Sequence, residues 1–330
     1  MAPAKLASPK LDQWIKITSI AAVIAMAITI GATFLFAPVE VTMGNVQRLF
    51  YFHVGSAWTG AVVFGVAVLS SVLYLRRPNR TLDAISLAAI ESGLVFLSMT
   101  IIGGSFWGKP AWNTWWIWSP RLILITVAWL VYAAYFMLRG AVEDPQRRAR
   151  FAAVYAIVAF STIILTYLSI RIFRDIHPVV VGSTTEAAAG AQQGLQEFNG
   201  IDSAKMGITL LISVIAFSLL GTAWILARIR LQNMIDYADY LKTRVATRLS
   251  GRGKAGSAVA AGLALTLPGL QVQVANPNLF NQYLIGGYIA MSAVPLLYII
   301  YLYVRQRNLQ GDIDLLAQLL ALQEDKRPRR

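Results

Sequence analysis

The sequence predicts an all-α, polytopic membrane helix bundle, and three observations carry that prediction. Of its 330 residues, 57% are hydrophobic and only 14% charged, with a mean hydropathy of +0.57. That is too apolar for a water-soluble domain of this length. The apolar residues gather into runs of about 20, the length a helix needs to cross a hydrocarbon core about 30 Å thick. With no water there to pair the backbone, each run has to be helical. The basic residues, finally, collect in alternate loops between the runs, the distribution expected when Lys and Arg are retained on the cytoplasmic side.

The first run covers about 14–36. The preceding MAPAKLASPKLDQWIKI leads into an apolar stretch too long for a signal h-region and lacks a convincing cleavage site, so it reads as a retained first helix. Further runs follow at about 49–75, 82–105, 121–139, 151–171 and 206–228, making a six-helix core over residues 1–230. About two additional C-terminal spans come after it. The stretch 256–274, GSAVAAGLALTLPGLQVQV, is the weaker, being interrupted by Gly and Pro with two Gln near its end; 283–304 is strong. Between core and tail, 231–255 reads as a basic amphipathic linker on the inner surface, with Leu231, Met234, Ile235, Leu241, Val245 and Leu249 sharing one side. Residues 256–330 form the third unit.

Orientation follows from counting. With the N-terminus cytoplasmic and all eight runs spanning, 23 of the 29 Lys and Arg residues fall inside. Arg48, Lys109, Arg121, Arg171, Arg174 and Lys205 remain outside. The net charge of +13 is therefore chiefly a topology signal and not a nucleic-acid footprint. Both termini are expected in the cytoplasm.

The same count places three unusual features on the outer face. His53 stands at the entry to the second helix and His177 lies in the 172–205 loop; they are the chain's two histidines. Between the third and fourth helices, WGKPAWNTWWIWSPRL packs five of nine tryptophans into twelve positions. Cysteine is absent, which excludes disulfides, thiolate metal sites and a C-x-x-C-H attachment motif. Helical spacing puts Ser56, Ala57 and Gly60 on the face of His53, leaving room for a flat ligand. Neutral imidazole is a good iron ligand and the usual axial residue of haem. Trp107, Trp112, Trp115, Trp116 and Trp118 would supply an apolar platform for a porphyrin face. Arg48, Lys109, Arg121, Arg171 and Arg174 would supply cations for its two propionates. The plainer alternatives are an interfacial aromatic belt and snorkelling basic residues at helix ends. Glu91, the one acid well inside a span, is either a functional group or an internally neutralised one.

RLFYFHVGSAW, then GGSFWGKPAWNTWWIWSPRL, then a histidine just beyond the fifth helix together resemble the CcmC haem-handling family of cytochrome c maturation, in the wider group with a tryptophan-rich "WWD" loop. The resemblance covers about residues 10–230. It implies that His53 and His177 are axial ligands of haem b and that the tryptophan loop holds haem at the periplasmic surface of the bacterial inner membrane. It also implies presentation of haem to a CcmE-type chaperone beside a CcmAB-type ABC transporter, a transport role and not an enzyme's. One departure stands out: the family's loop ends W-W-x-W-D, whereas Trp118 here is followed by Ser119 and Pro120. The last span and its charged tail resemble CcmD, the one-helix companion of CcmC, so a fusion of the two is expected. The rival readings are a bis-histidine b-type cytochrome for electron transfer, a cytochrome c synthase of the same superfamily, and a haem-free scaffold.

Overall fold

The computed structural model describes residues 8–40, 43–173, 177, 201, 203–249 and 281–325. These residues form α1 (Pro9–Gly31), a π-helical turn (Ala32–Phe36), a 3-10 turn (Asn45–Arg48), α2 (Leu49–Arg76), α3 (Arg80–Trp112), α4 (Pro120–Ala141), α5 (Pro145–Ile172), α6 (Ala204–Leu249) and α7 (Asn281–Asp325). Seven helices among the described residues are long and apolar enough to cross a membrane. The chain is an all-α, multi-pass membrane protein. The weaker run at 256–274 and residue Arg174 lie outside the described residues.

Helix ends follow from the local sequence. Asn79 caps α3 by accepting from the Thr81 amide at 2.8 Å, and Asp144 caps α5 by accepting from the Arg147 amide at 2.7 Å. Pro120 and Pro145 occupy first-turn positions, where a missing N–H costs nothing. α3 stops at Asn113, which takes the left-handed conformation (φ 54°) that Asn tolerates better than most residues. The Lys109 ammonium donates to the Asn113 carbonyl at 2.9 Å, so a cation sits where the helix dipole is negative.

Small residues set the spacing of the core helices, as is usual where apolar lipid gives no hydrophobic drive for helices to associate. A Cβ on Gly93 would lie 2.6 Å from the Phe64 ring, and one on Gly55 would lie 2.7 Å from Phe217. Between α2 and α3, Ser71 meets Ser86 at 2.9 Å and Ser56 meets Thr100 at 3.2 Å. Phe64 stacks on Tyr132 of α4, centroids 3.8 Å apart. The outward faces stay apolar: Val23 is 70% exposed and Met137 76%, as suits contact with lipid.

α6 and α7 differ most from the sequence expectation. They are 46 and 45 residues long, about 69 and 68 Å at 1.5 Å per residue, more than twice a hydrocarbon core. The amphipathic stretch 231–249 continues α6 without a break, and the charged tail continues α7. Met234, Ala238 and Leu241 pack against Ile313. Two apolar stripes that neither helix could bury alone cover each other. Trp224 lies beside Tyr298, and Gln306 donates to the Ala227 carbonyl at 2.9 Å. The two helices thus run in the same direction, and Leu249 and Asn281 lie toward opposite ends of the bundle.

Glu91 is internally neutralised. Arg228 of α6 donates to it at 2.7 Å, and the Tyr298 hydroxyl of α7 donates at 3.3 Å. Nearer the basic end, Arg139 grips Asp83 through both guanidinium nitrogens, at 2.6 and 2.9 Å.

Candidate functional site

At the tryptophan end, α2, α3, α4 and α5 part around a cavity that encloses about 880 Å³ including its open mouth. His53 enters from the first turns of α2 and His177 from the segment beyond α5; both line the cavity, with ring centroids 6.3 Å apart and planes tilted by 40°. The Nδ1 atom of His53 is buried with no hydrogen-bond partner among the described residues.

The sequence reading of the face below His53 holds in part. Ala57 and Gly60 line the cavity, but Ser56 turns toward α3, donating to the His53 carbonyl at 2.8 Å and meeting Thr100. The residue that makes room for the imidazole is one the sequence did not single out. Gly104 of α3 lies so close that a Cβ there would stand 2.9 Å from His53 Cε1. The signal available was GG at 103–104 in an otherwise bulky run, which has no meaning until α2 is docked against it.

The tryptophans divide. Trp107 and Trp112 belong to the last turns of α3, which runs through Pro110, so the connecting loop is shorter than expected, 113–119. Proline is tolerated there because it forfeits a single backbone bond close to the helix end. Trp107, Trp112, Trp115 and Trp116 line the cavity, with the Trp112 centroid 6.3 Å from that of His177. Trp118 does not line it and is 70% exposed. Trp115 is braced from behind by Phe106 at 5.2 Å and by Tyr283 of α7 at 5.6 Å.

The basic residues divide as well. Arg121 lines the cavity, its guanidinium carbon 5.7 Å from the centre of the Tyr167 ring, and Tyr167 donates to the Ala57 carbonyl at 2.9 Å. Arg48 is directed away, donating to the Phe34 carbonyl at 3.2 Å. Lys109 serves the end of α3, and Arg171 is exposed outside the cavity lining. Ser119 has extended backbone and its carbonyl accepts the first helical bond from the Ile123 amide at 2.9 Å. The position where the family's loop carries an acid is thus the N-cap of α4, filled here by a serine whose side chain makes no capping hydrogen bond.

The donor set fits haem better than a bare ion. Among the described residues no three His, Cys, Asp or Glu side chains gather to hold a metal. Two imidazoles suffice when a macrocycle supplies the remaining ligands. Two rings on opposite sides of one metal, with bonds of about 2.0–2.1 Å and ring centres about 1.1 Å behind the nitrogens, have centroids about 6.2–6.4 Å apart. The observed spacing of 6.3 Å matches.

A family model described as "Heme exporter protein C" matches residues 2–243. This chain belongs to the heme exporter protein C family. Proteins named heme exporter protein C are similar over most of their length. That of Bradyrhizobium diazoefficiens is 29% identical over 237 residues, 72% of this chain and 85% of the relative. That of Escherichia coli K12 is 29% identical over 245 residues, 73% of this chain and 90% of the relative. A shorter match, 28% over 141 residues, covering 43% of this chain and 59% of the relative, joins it to a putative cytochrome c biosynthesis ccmC-like mitochondrial protein of Marchantia polymorpha. Membership implies haem handling for cytochrome c maturation, the work of a transport component and not of an enzyme. α7 lies beyond the matched residues.

Proposed function

We propose that the protein holds haem b as cargo at the tryptophan end of the bundle, on the periplasmic side, with His53 and His177 as axial ligands, and presents it to a CcmE-type chaperone. The observation that carries this reading is the pair of histidine rings 6.3 Å apart inside a cavity walled by four tryptophans. The chain has no cysteine and so no thioether anchor, which favours haem held without a covalent bond, as a carrier needs. Arg121 is the cavity's guanidinium for a propionate. The concentration of basic residues at the opposite end favours a cytoplasmic position for that end. The CcmAB-type transporter is the expected neighbour within the membrane. α7, outside the family match but packed on α3 and α6, would serve as a CcmD-like helix carried in cis.

Each residue has a simple task. The imidazoles hold iron, the indoles cover the porphyrin faces and exclude water, and Gly104 leaves His53 its place. The test is the Soret absorbance per mole of purified protein. The parent is expected to carry haem and the His53→Ala/His177→Ala variant to lose it; equal haem in both would overturn the assignment.

A further inference from the structure

The cavity continues beyond the histidines. Its lining on α2 runs from His53 to Phe64, about 16 Å of helix, which carries it from the tryptophan end into the depth of the apolar spans. Below the imidazoles the walls include Ala57, Gly60, Leu97, Ile101, Ile125 and Ile163. They form an apolar slot.

The four seams around this slot are closed differently. α2 meets α3 tightly, Gly60 lying where a Cβ would be 3.3 Å from the Phe96 Cβ and Ser56 meeting Thr100 at 3.2 Å. Tyr167 ties α5 to α2 at 2.9 Å, and across the α4–α5 seam the Arg121 guanidinium lies 5.7 Å from the centre of the Tyr167 ring beside the cavity, with Tyr155 donating to the Val131 carbonyl at 2.9 Å below it. Among the described residues, two polar ties between α3 and α4 are Trp129 Nε1 donating to Ser98 at 2.9 Å and the Arg139–Asp83 pair. The first stands level with the cavity floor and the second nearer the basic end. Toward the tryptophans, Ile101 on α3 and Leu122 and Ile125 on α4 are cavity wall, while Ile123 and Val127 on the outer side of α4 are 41% and 40% exposed. α4 is therefore pinned to α3 at one end, and the cavity separates the two helices at the other.

We propose that the tryptophan-end half of the α3–α4 seam is a membrane-facing portal, through which haem dissolved in the bilayer slides edge-first into the apolar slot before the histidines take its iron. A flat molecule with an apolar edge and two carboxylates on the opposite edge suits this path. The apolar edge meets the isoleucines and leucines of the slot, and the carboxylates trail at the level of Arg121. Such a route avoids exposing the porphyrin to water. The proposal rests on the haem-carrying reading above.

The absence of native cysteine makes the test direct. In nanodiscs, an Ile101→Cys/Ile125→Cys variant is stapled with a short bismaleimide, and Soret growth is timed with haem supplied either in the lipid or in water on albumin. The unstapled sample of the same variant is the reference. Stapling is expected to slow loading from lipid by an order of magnitude or more and loading from water distinctly less. Equal loading rates from lipid with and without the staple, or equal slowing of both routes, would overturn the portal. The haem-carrying reading fails separately, if the two-histidine variant keeps the parent's Soret band.

Discussion

The two ends of the bundle are built on opposite plans. Toward the basic end, polar groups are matched: Arg139 with Asp83, Arg228 with Glu91, and Arg230 with Asp12 at 3.0 Å. There α6 and α7 also close a continuous apolar seam through Met234, Leu241 and Ile313. At the tryptophan end, the His53 Nδ1 and Trp116 Nε1 atoms are buried with no hydrogen-bond partner among the described residues. Glycine stands where a side chain would strike His53. Buried polar groups are satisfied almost everywhere in proteins, so the exceptions ask for an explanation. Here two of them, on His53 and Trp116, line the cavity, while others, on Thr59, Tyr132 and Trp224, lie elsewhere in the core; what separates the two ends is that one is built on paired charges and the other opens on a cavity.

The sharpest attempt to break this contrast is Gly104→Val. Its branched side chain would occupy the place of the imidazole edge, so haem occupancy is expected to fall close to that of the two-histidine variant while the thermal transition stays near the parent's. A retained Soret band would mean that the position of the ring does not govern binding. Arg228→Ala attacks the paired charges instead. It leaves Glu91 buried without its cation, and breaking such a pair costs about 3–5 kcal/mol. Chemical denaturation in detergent should show that loss, whereas a paired Glu91→Leu/Arg228→Met change, which removes both charges, should return most of it. Near-parental stability of the single variant would show that the ion pair is not holding α3 to α6.

Ser213→Ala is a milder probe of the junction between the two regions. The Ser213 hydroxyl donates to the Tyr51 carbonyl at 2.7 Å, joining α6 to the first turn of α2. Its loss should cost about 1 kcal/mol, visible in the same denaturation assay and without effect on the Soret maximum. A shifted maximum would show that this turn sets the position of His53. The smallest effect is expected from Trp118→Ala. Because Trp118 faces outward, it should lower haem occupancy less than Trp116→Ala does, and the reverse order in a side-by-side Soret titration would place Trp118 in the site after all.

Much of this was legible in the chain. Seven of the eight expected spans, their alternation and the shared location of His53, His177 and the tryptophans follow from apolar run length and the placement of Lys and Arg. The extension of α3 through Trp112 was less legible, because Lys109 and Pro110 read as loop chemistry when the stabilising contacts of the last turn are unknown. Glu91 could be recognised as needing a partner, but that partner, Arg228, lies 137 residues away. For 231–249, the sequence defined an apolar side without saying what covers it. The structure places α7 there, a protein face where a membrane surface was expected.

What the sequence by itself determined is the class of the molecule and the ingredients of its site. A backbone in hydrocarbon must satisfy its own hydrogen bonds, so apolar runs of this length become helices, and basic loops then order their ends. What only the tertiary structure decided is which side chains meet. Helical periodicity assigns a residue to a face, but it does not name the neighbour on that face. That Arg121 enters the cavity and Arg48 leaves it, and that Gly104 gives His53 its space, depend on how close and at what rotation two helices pack, and packing is settled by contacts between residues far apart in the chain.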